Sequence, residues 1–161
     1  MGLHYTKKSM RVEALKEMIA VAEFCINYRK ELKVWGSLGC YGYPAAILLL
    51  AIVDSIGSVI VGGSNVKKHF EVLNHQNYYN LGLDDSELRT IYKDYRCLLM
   101  HNSVMEIEAN LSLGEADGSI FEFIDGCPQL NLKPFLDLTN RVLDKFLKEQ
   151  RDEIMLSNKF L

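Results

Sequence analysis

The residues best suited to chemistry stand in the stretch "YKDYRCLLMHNS", Tyr92 to Ser103, where Arg96 and His101 interrupt an otherwise apolar helical pattern five positions apart. Arginine offers a permanently charged fork matched to phosphate oxygens, and histidine is the side chain whose proton exchanges most readily near neutral pH. Together they suit cleavage of RNA in which His101 takes the proton of a ribose 2′-hydroxyl, or protonates the leaving oxygen. Arg96 would hold the charge of the phosphorane, and that reaction requires no metal. On an ideal helix five residues turn through about 500°, which leaves the pair roughly 140° apart and off a common face. A long guanidinium stem, a loosened last turn or a second subunit would have to bring them together. The plainer account is a histidine complementing the helix dipole in the last turn and an arginine paired with Glu87, Asp94 or another surface acid.

Asp54 is the second residue to single out. Ala51, Asp54, Ser55, Ser58 and Gly62 form a small, polar-tinted strip along an oily helix, a seam along which helices of one chain or two can approach closely. A carboxylate there could orient His101 or hold Arg96, or be satisfied by Ser58, a backbone amide or a tyrosine. Asn102 beside His101 is a further supporting candidate, and Tyr92, one turn before Arg96, a candidate substrate contact. Lys67 and Lys68, with Tyr78 and Tyr79, could neutralise and stack on single-stranded RNA, though tyrosines more often pack with their hydroxyls at the surface. His69 and His75 in "HFEVLNH" are six apart and fall on different helix faces, so no metal site is expected.

These groups must be positioned by a chain of 161 residues, 48% hydrophobic and 24% charged, which is enough for one domain spanning 1–161. A net charge of -3 argues against a protein built mainly to grip duplex nucleic acid. Cys25, Cys40, Cys97 and Cys127 form no C-x-x-C pair and no zinc-finger spacing, so reduced thiols and a cytoplasmic location fit best. "MGLHYTKKSMRVEAL" lacks the pattern of a signal peptide; Gly2 and Thr6 match the short N-myristoylation pattern, which arises often by chance.

Val12, Leu15, Ile19, Ala22 and Ile26 predict an amphipathic helix from Ser9 to about Lys33. "WGSLGCYGYP" follows a helix rather than a strand and reads as a connector, not a phosphate loop. "PAAILLLAIVDSIGSVIV" just reaches membrane-spanning length, but Asp54 in its middle favours a buried core helix that stops at Gly62 and Gly63. Ser64 or Asn65 would cap a short helix "VKKHFEVLNH", and Asp84 or Asp85 the helix carrying the Arg96 motif, with a core stripe of Leu88, Ile91, Tyr95, Leu98 and Asn102. Ile107, Ala109, Leu111 and Leu113 alternate with polar residues, predicting a strand that turns at Asp117-Gly118 into "IFEFI". A hairpin at about 106–125 would precede a last helix at about 134–153, with a fraying tail. The expected class is therefore mainly α: an up-and-down bundle of four to five helices with one small β-hairpin.

The segment "IYKDYRCLLMHNS", following "PAAILLLAIVDSIGSVIVGG" and "VKKHFEVL", resembles the HEPN superfamily, whose motif is R-x4-6-H. The resemblance covers roughly Tyr43 to Ser103 by pattern and the whole chain by helix order. It implies a helical, often dimeric fold and a metal-independent ribonuclease activity of the kind found in toxin, antiphage and RNA-processing systems. It further implies Arg96 and His101 as the active pair repeated across a homodimer two-fold, no cofactor, and an antitoxin or regulatory partner. Catalytic members commonly carry a polar residue directly after the arginine; here that residue is Cys97, while Asn102 follows the histidine. A non-catalytic HEPN-like binding or dimerisation module is the alternative.

Overall fold

Thr6 opens the first helix, α1 (Lys7–Asn27), by a reciprocal capping box: its hydroxyl accepts from the Ser9 amide at 3.1 Å and the Ser9 side chain returns to the Thr6 backbone. The computed structural model describes residues 6–157, so the Gly2 position lies outside the described residues. Leu15, Ala22 and Ile26 of the expected stripe are fully buried, with Val12 and Ile19 packed beside them. The helix does not continue to Lys33. Tyr28 turns to extended backbone, the Arg29 guanidinium donates to the Ile26 carbonyl at 2.9 Å, and Lys30 donates its amide to Gly39 at 2.8 Å. The ring of Tyr28 then stacks on Tyr41 at 4.4 Å, so a long-range contact outweighs local helix preference. A single turn, α2 (Leu32–Trp35), lies within this connector.

α3 (Gly42–Ile60) is the central element, with Leu49, Leu50, Ile52, Val53 and Ile56 all at 0% exposure. By length and composition it could cross a membrane, yet 44% of its most apolar window is buried inside this fold. α1 packs along it and α7 (Leu132–Ser157) packs on both. α3 ends where Gly62 and Gly63 adopt φ of 77° and 82°, a left-handed pair that turns the chain back on itself. Asn65 then caps α4 (Val66–His69), accepting from the Lys67 amide at 3.1 Å, and a 3₁₀ segment, Phe70–Asn74, follows. Asn74 closes the next loop with both ends of its amide, 2.6 Å to the Leu83 carbonyl and 2.7 Å from the Leu83 amide.

Asp84 starts the next helix with a second capping box, paired with Glu87. This helix is not uniform: α5 (Asp85–Thr90) widens into a π-helical segment, Ile91–Cys97, before α6 (Leu98–Asn102). The wide turn changes which residues face inward. Ile91, Tyr95 and Leu99, spaced by four, are buried, whereas Leu98 is half-buried and Asn102 exposed. Burial pushes the Tyr95 phenol well up; its hydroxyl lies 3.0 Å from the Asn110 carbonyl and 2.7 Å from the Pro128 carbonyl, tying the helix to the sheet.

That sheet has three strands, not two: β1 (Asn110–Ser112), β2 (Phe121–Ile124) and β3 (Cys127–Asn131), in the order β1-β3-β2. β1 pairs parallel with β3 and β2 antiparallel with it. The expected hairpin at Asp117-Gly118 is replaced by one at Asp125-Gly126, where Ile124 pairs with Cys127 and the two central residues take φ of 51° and 82°. Positive φ at both positions is what a two-residue hairpin turn demands. No strand is expected in "CPQLN" from the sequence, and a proline such as Pro128 ordinarily demotes one. It is tolerated because β1 pairs only from Gln129 onward, so no β1 partner is lost at the proline. The protein is thus mostly helical with a small sheet before its last helix, which starts at Leu132 and runs through Ser157.

Candidate functional site

Three elements meet at Asp54. It projects from the middle of α3, and its carboxylate bridges a histidine and an arginine: Oδ1 is 2.7 Å from His69 Nδ1 at the end of α4, and Oδ2 accepts from Arg96 Nη2 at 3.1 Å from the π-helical segment. The side chains are 22%, 8% and 17% exposed for Asp54, His69 and Arg96, so the cluster is sheltered but reaches the surface. Gly57, one turn further along α3, makes it possible. A methyl group there would overlap the backbone carbonyl, carbon and Cα of His69, so only glycine lets α4 lie this close.

His69 is tied at both ring nitrogens. Nε2 is 3.0 Å from the Gly63 carbonyl, which the left-handed glycine pair turns back toward α4. Two acceptors on two nitrogens are satisfied together only by the doubly protonated ring. The hydrogen bond to Asp54 raises the pKa of His69, against a lowering by burial and with a further contribution from Gly63. While the ring holds both protons, one carboxylate faces an imidazolium and a guanidinium, and the cluster then carries a net positive charge.

The sign of the pH effect follows. Because the folded-state value lies above the ordinary 6.5, protonated His69 stabilises the fold fully below that value. The stabilisation is lost as pH rises through the raised value. The urea midpoint is expected to fall on this limb, and His69→Gln is expected to flatten that part of the profile; an unchanged slope in the variant would assign it to other groups.

Arg96 also lies over Tyr92, its guanidinium carbon 5.9 Å from the ring centroid, and Tyr92 meets Phe70 edge-on at 5.4 Å. A hydrogen bond with the Cys97 side chain, with burial behind it, pushes the Tyr92 phenol up. Arg96, Asp54 and Tyr92, three of the expected site residues, thus come together. His101 and Asn102 do not join them: both are exposed in the last turn of α6, which Ser103 ends with φ of 57°. Lys67 and Lys68 are exposed on α4, immediately before His69. They line a groove of about 630 Å³ together with Arg89 and with the acidic Glu71 and Asp85.

His69 is the member that sequence reasoning missed. Considered only as a metal ligand with His75, it parts from that residue, which accepts from the Asn77 amide at 3.3 Å and packs edge-on against Tyr78. The available signal was weak: a polar residue in an apolar helix needs a partner, but nothing local says that it lies fifteen residues on. No protein family, curated protein or solved structure matches the chain.

Proposed function

We propose that this chain is a HEPN-like, metal-independent endoribonuclease acting in the cytoplasm, with its helices in an up-and-down bundle and a homodimer as its working form. The observation that carries the reading is the state of Arg96. Asp54 and the Tyr92 ring hold it, yet among the described residues only Nη2 has a hydrogen-bond partner, which leaves the rest of the guanidinium fork for a phosphate. In this reading Arg96 stabilises the phosphorane and His101 moves the proton at the 2′-hydroxyl or the leaving oxygen. Asp54 positions Arg96, with His69 behind it, and Asn102 supports His101. Tyr92, Lys67 and Lys68 guide single-stranded RNA, and a regulatory or antitoxin protein restrains the activity.

A second copy would have to bring His101 to the guanidinium. Met100 and Val104, on either side of His101 in the chain, are 47% and 53% exposed, an apolar fringe that suits coverage by another chain. The contrary reading, a binding or dimerisation module without chemistry, is favoured by Cys97, which stands directly after Arg96 where a polar group would serve catalysis better.

RNA incubated with the purified chain in excess chelator is expected to be cut, leaving 2′,3′-cyclic phosphate ends. His101→Ala is expected to slow cleavage by about 100-fold or more with an unchanged melting temperature, since His101 is exposed; Arg96→Ala should slow it comparably. Intact RNA, or cleavage equal to wild type in both variants, rejects the enzyme in favour of the module.

A further inference from the structure

Cys25 and Cys40 are separated by the whole connector between α1 and α3, yet the fold sets them side by side. The Tyr41 amide donates to the Cys25 carbonyl at 3.0 Å. In a trans peptide that N–H lies on the same side as the Cα of residue 40. Standard backbone dimensions then put the two cysteine Cα atoms about 5–6 Å apart, inside the span of a disulfide. The neighbouring stack of Tyr28 on Tyr41, at 4.4 Å, holds the two ends of the connector together. Both thiols are free, and they occupy different settings. Cys25 is 6% exposed, and burial, with Cys40 adding to it, pushes its thiol up. Cys40 is half-buried and lines an open groove beside Lys30, where a small oxidant can reach it.

We propose that Cys25 and Cys40 are a redox-responsive pair whose disulfide staples the end of α1 to the start of α3. A peroxide is the two-electron oxidant. The Cys40 sulfur attacks it, the O–O bond breaks, and Cys40 becomes a sulfenic acid as one water leaves. The Cys25 sulfur then attacks the Cys40 sulfur, the S–O bond breaks, and the Cys25 proton departs with the second water. The two thiols lose two electrons and two protons, and the peroxide is reduced to two waters. The buried partner acts as the resolving thiol and needs no solvent access of its own. This assignment is independent of the ribonuclease reading.

The test uses the full chain, reduced, dilute and then exposed to hydrogen peroxide. Trypsin cuts after Arg29, Lys30 and Lys33, so Cys25 and Cys40 fall on separate peptides that only a bridge can join. The expected result is a linked Cys25–Cys40 peptide pair by mass spectrometry, reversed by dithiothreitol and absent in Cys40→Ser and Cys25→Ser. Because serine at position 25 enters the core, Cys40→Ser carries the result from the half-exposed side. Closing a loop of this length is also expected to raise the melting temperature of the oxidised protein by roughly 5–10 °C. Cys25 that stays open to alkylation after unfolding, or Cys40 found as a sulfinic acid or joined to Cys97, Cys127 or a second chain, overturns the pairing.

Discussion

Asp54→Ala is expected to lower stability by about 2–4 kcal/mol, seen as a drop in the urea midpoint without a change in slope. The side chain joins three elements, accepting from Arg96 at 3.1 Å and meeting His69 at 2.7 Å. Without it a guanidinium and an imidazolium face each other with no anion between them. Losing one partner of a fully buried pair costs about 3–5 kcal/mol. The partial exposure of this cluster, and the ability of His69 to shed its proton, bring the figure down. Asp54→Asn retains one acceptor oxygen and should fall between wild type and alanine. If the alanine variant is as stable as wild type, Asp54 does not hold α4 and the Arg96 segment onto α3.

Gly57→Ala is the sharper test because its expected sign is opposite to the usual one. Within a helix this change normally stabilises by about 1 kcal/mol, since alanine has the better helix propensity. Here the added methyl would run into the backbone of His69 rather than a movable side-chain end, so α4 must shift bodily. A net loss of about 2–3 kcal/mol is expected, at the upper end of overpacking costs, measured as the change in urea midpoint. Displacing α4 also pulls His69 from Asp54, so the pH dependence attributed to His69 should vanish with it. A stabilised Gly57→Ala protein would mean that α4 is not seated against α3 at this point.

Elements whose cause is local were readable in advance. The stripe through Leu15, Ala22 and Ile26 has helical spacing, Asn65 and Asp84 sit where caps belong, and Gly62 and Gly63 end α3 as expected. What escaped depends on contacts between distant segments. α1 breaks because Tyr28 stacks on Tyr41 and Lys30 bonds to Gly39. β3 contains a proline that is acceptable only because β1 begins pairing one residue later. At the site, Arg96 and Asp54 were legible as charged intrusions in apolar helices. His69 was not, because its pairing needs a glycine turn and a close helix approach that no spacing rule encodes. The coming together of Cys25 and Cys40 was hidden for the same reason.

The wide turn from Ile91 to Cys97 works like a gear setting between the two halves of its helix. Arg96 belongs to the widened half and His101 to the ordinary one, so the directions in which the two project relative to Asp85–Thr90 depend on the width of that turn. A π-helical turn takes up about one residue more than an α-helical turn, so removing one residue would restore α-helical pitch and leave Leu98–Asn102 facing much as it does now. α-Helical pitch with all of Ile91–Cys97 kept would instead swing it round by about 100° relative to Asp85–Thr90. In that second case Leu99 would leave the core and His101 would take a new direction. The wide turn is therefore the form in which one extra residue is accommodated without moving Leu99 from the core, and it is the width of the turn, not the residue count alone, that sets the face of Leu98–Asn102.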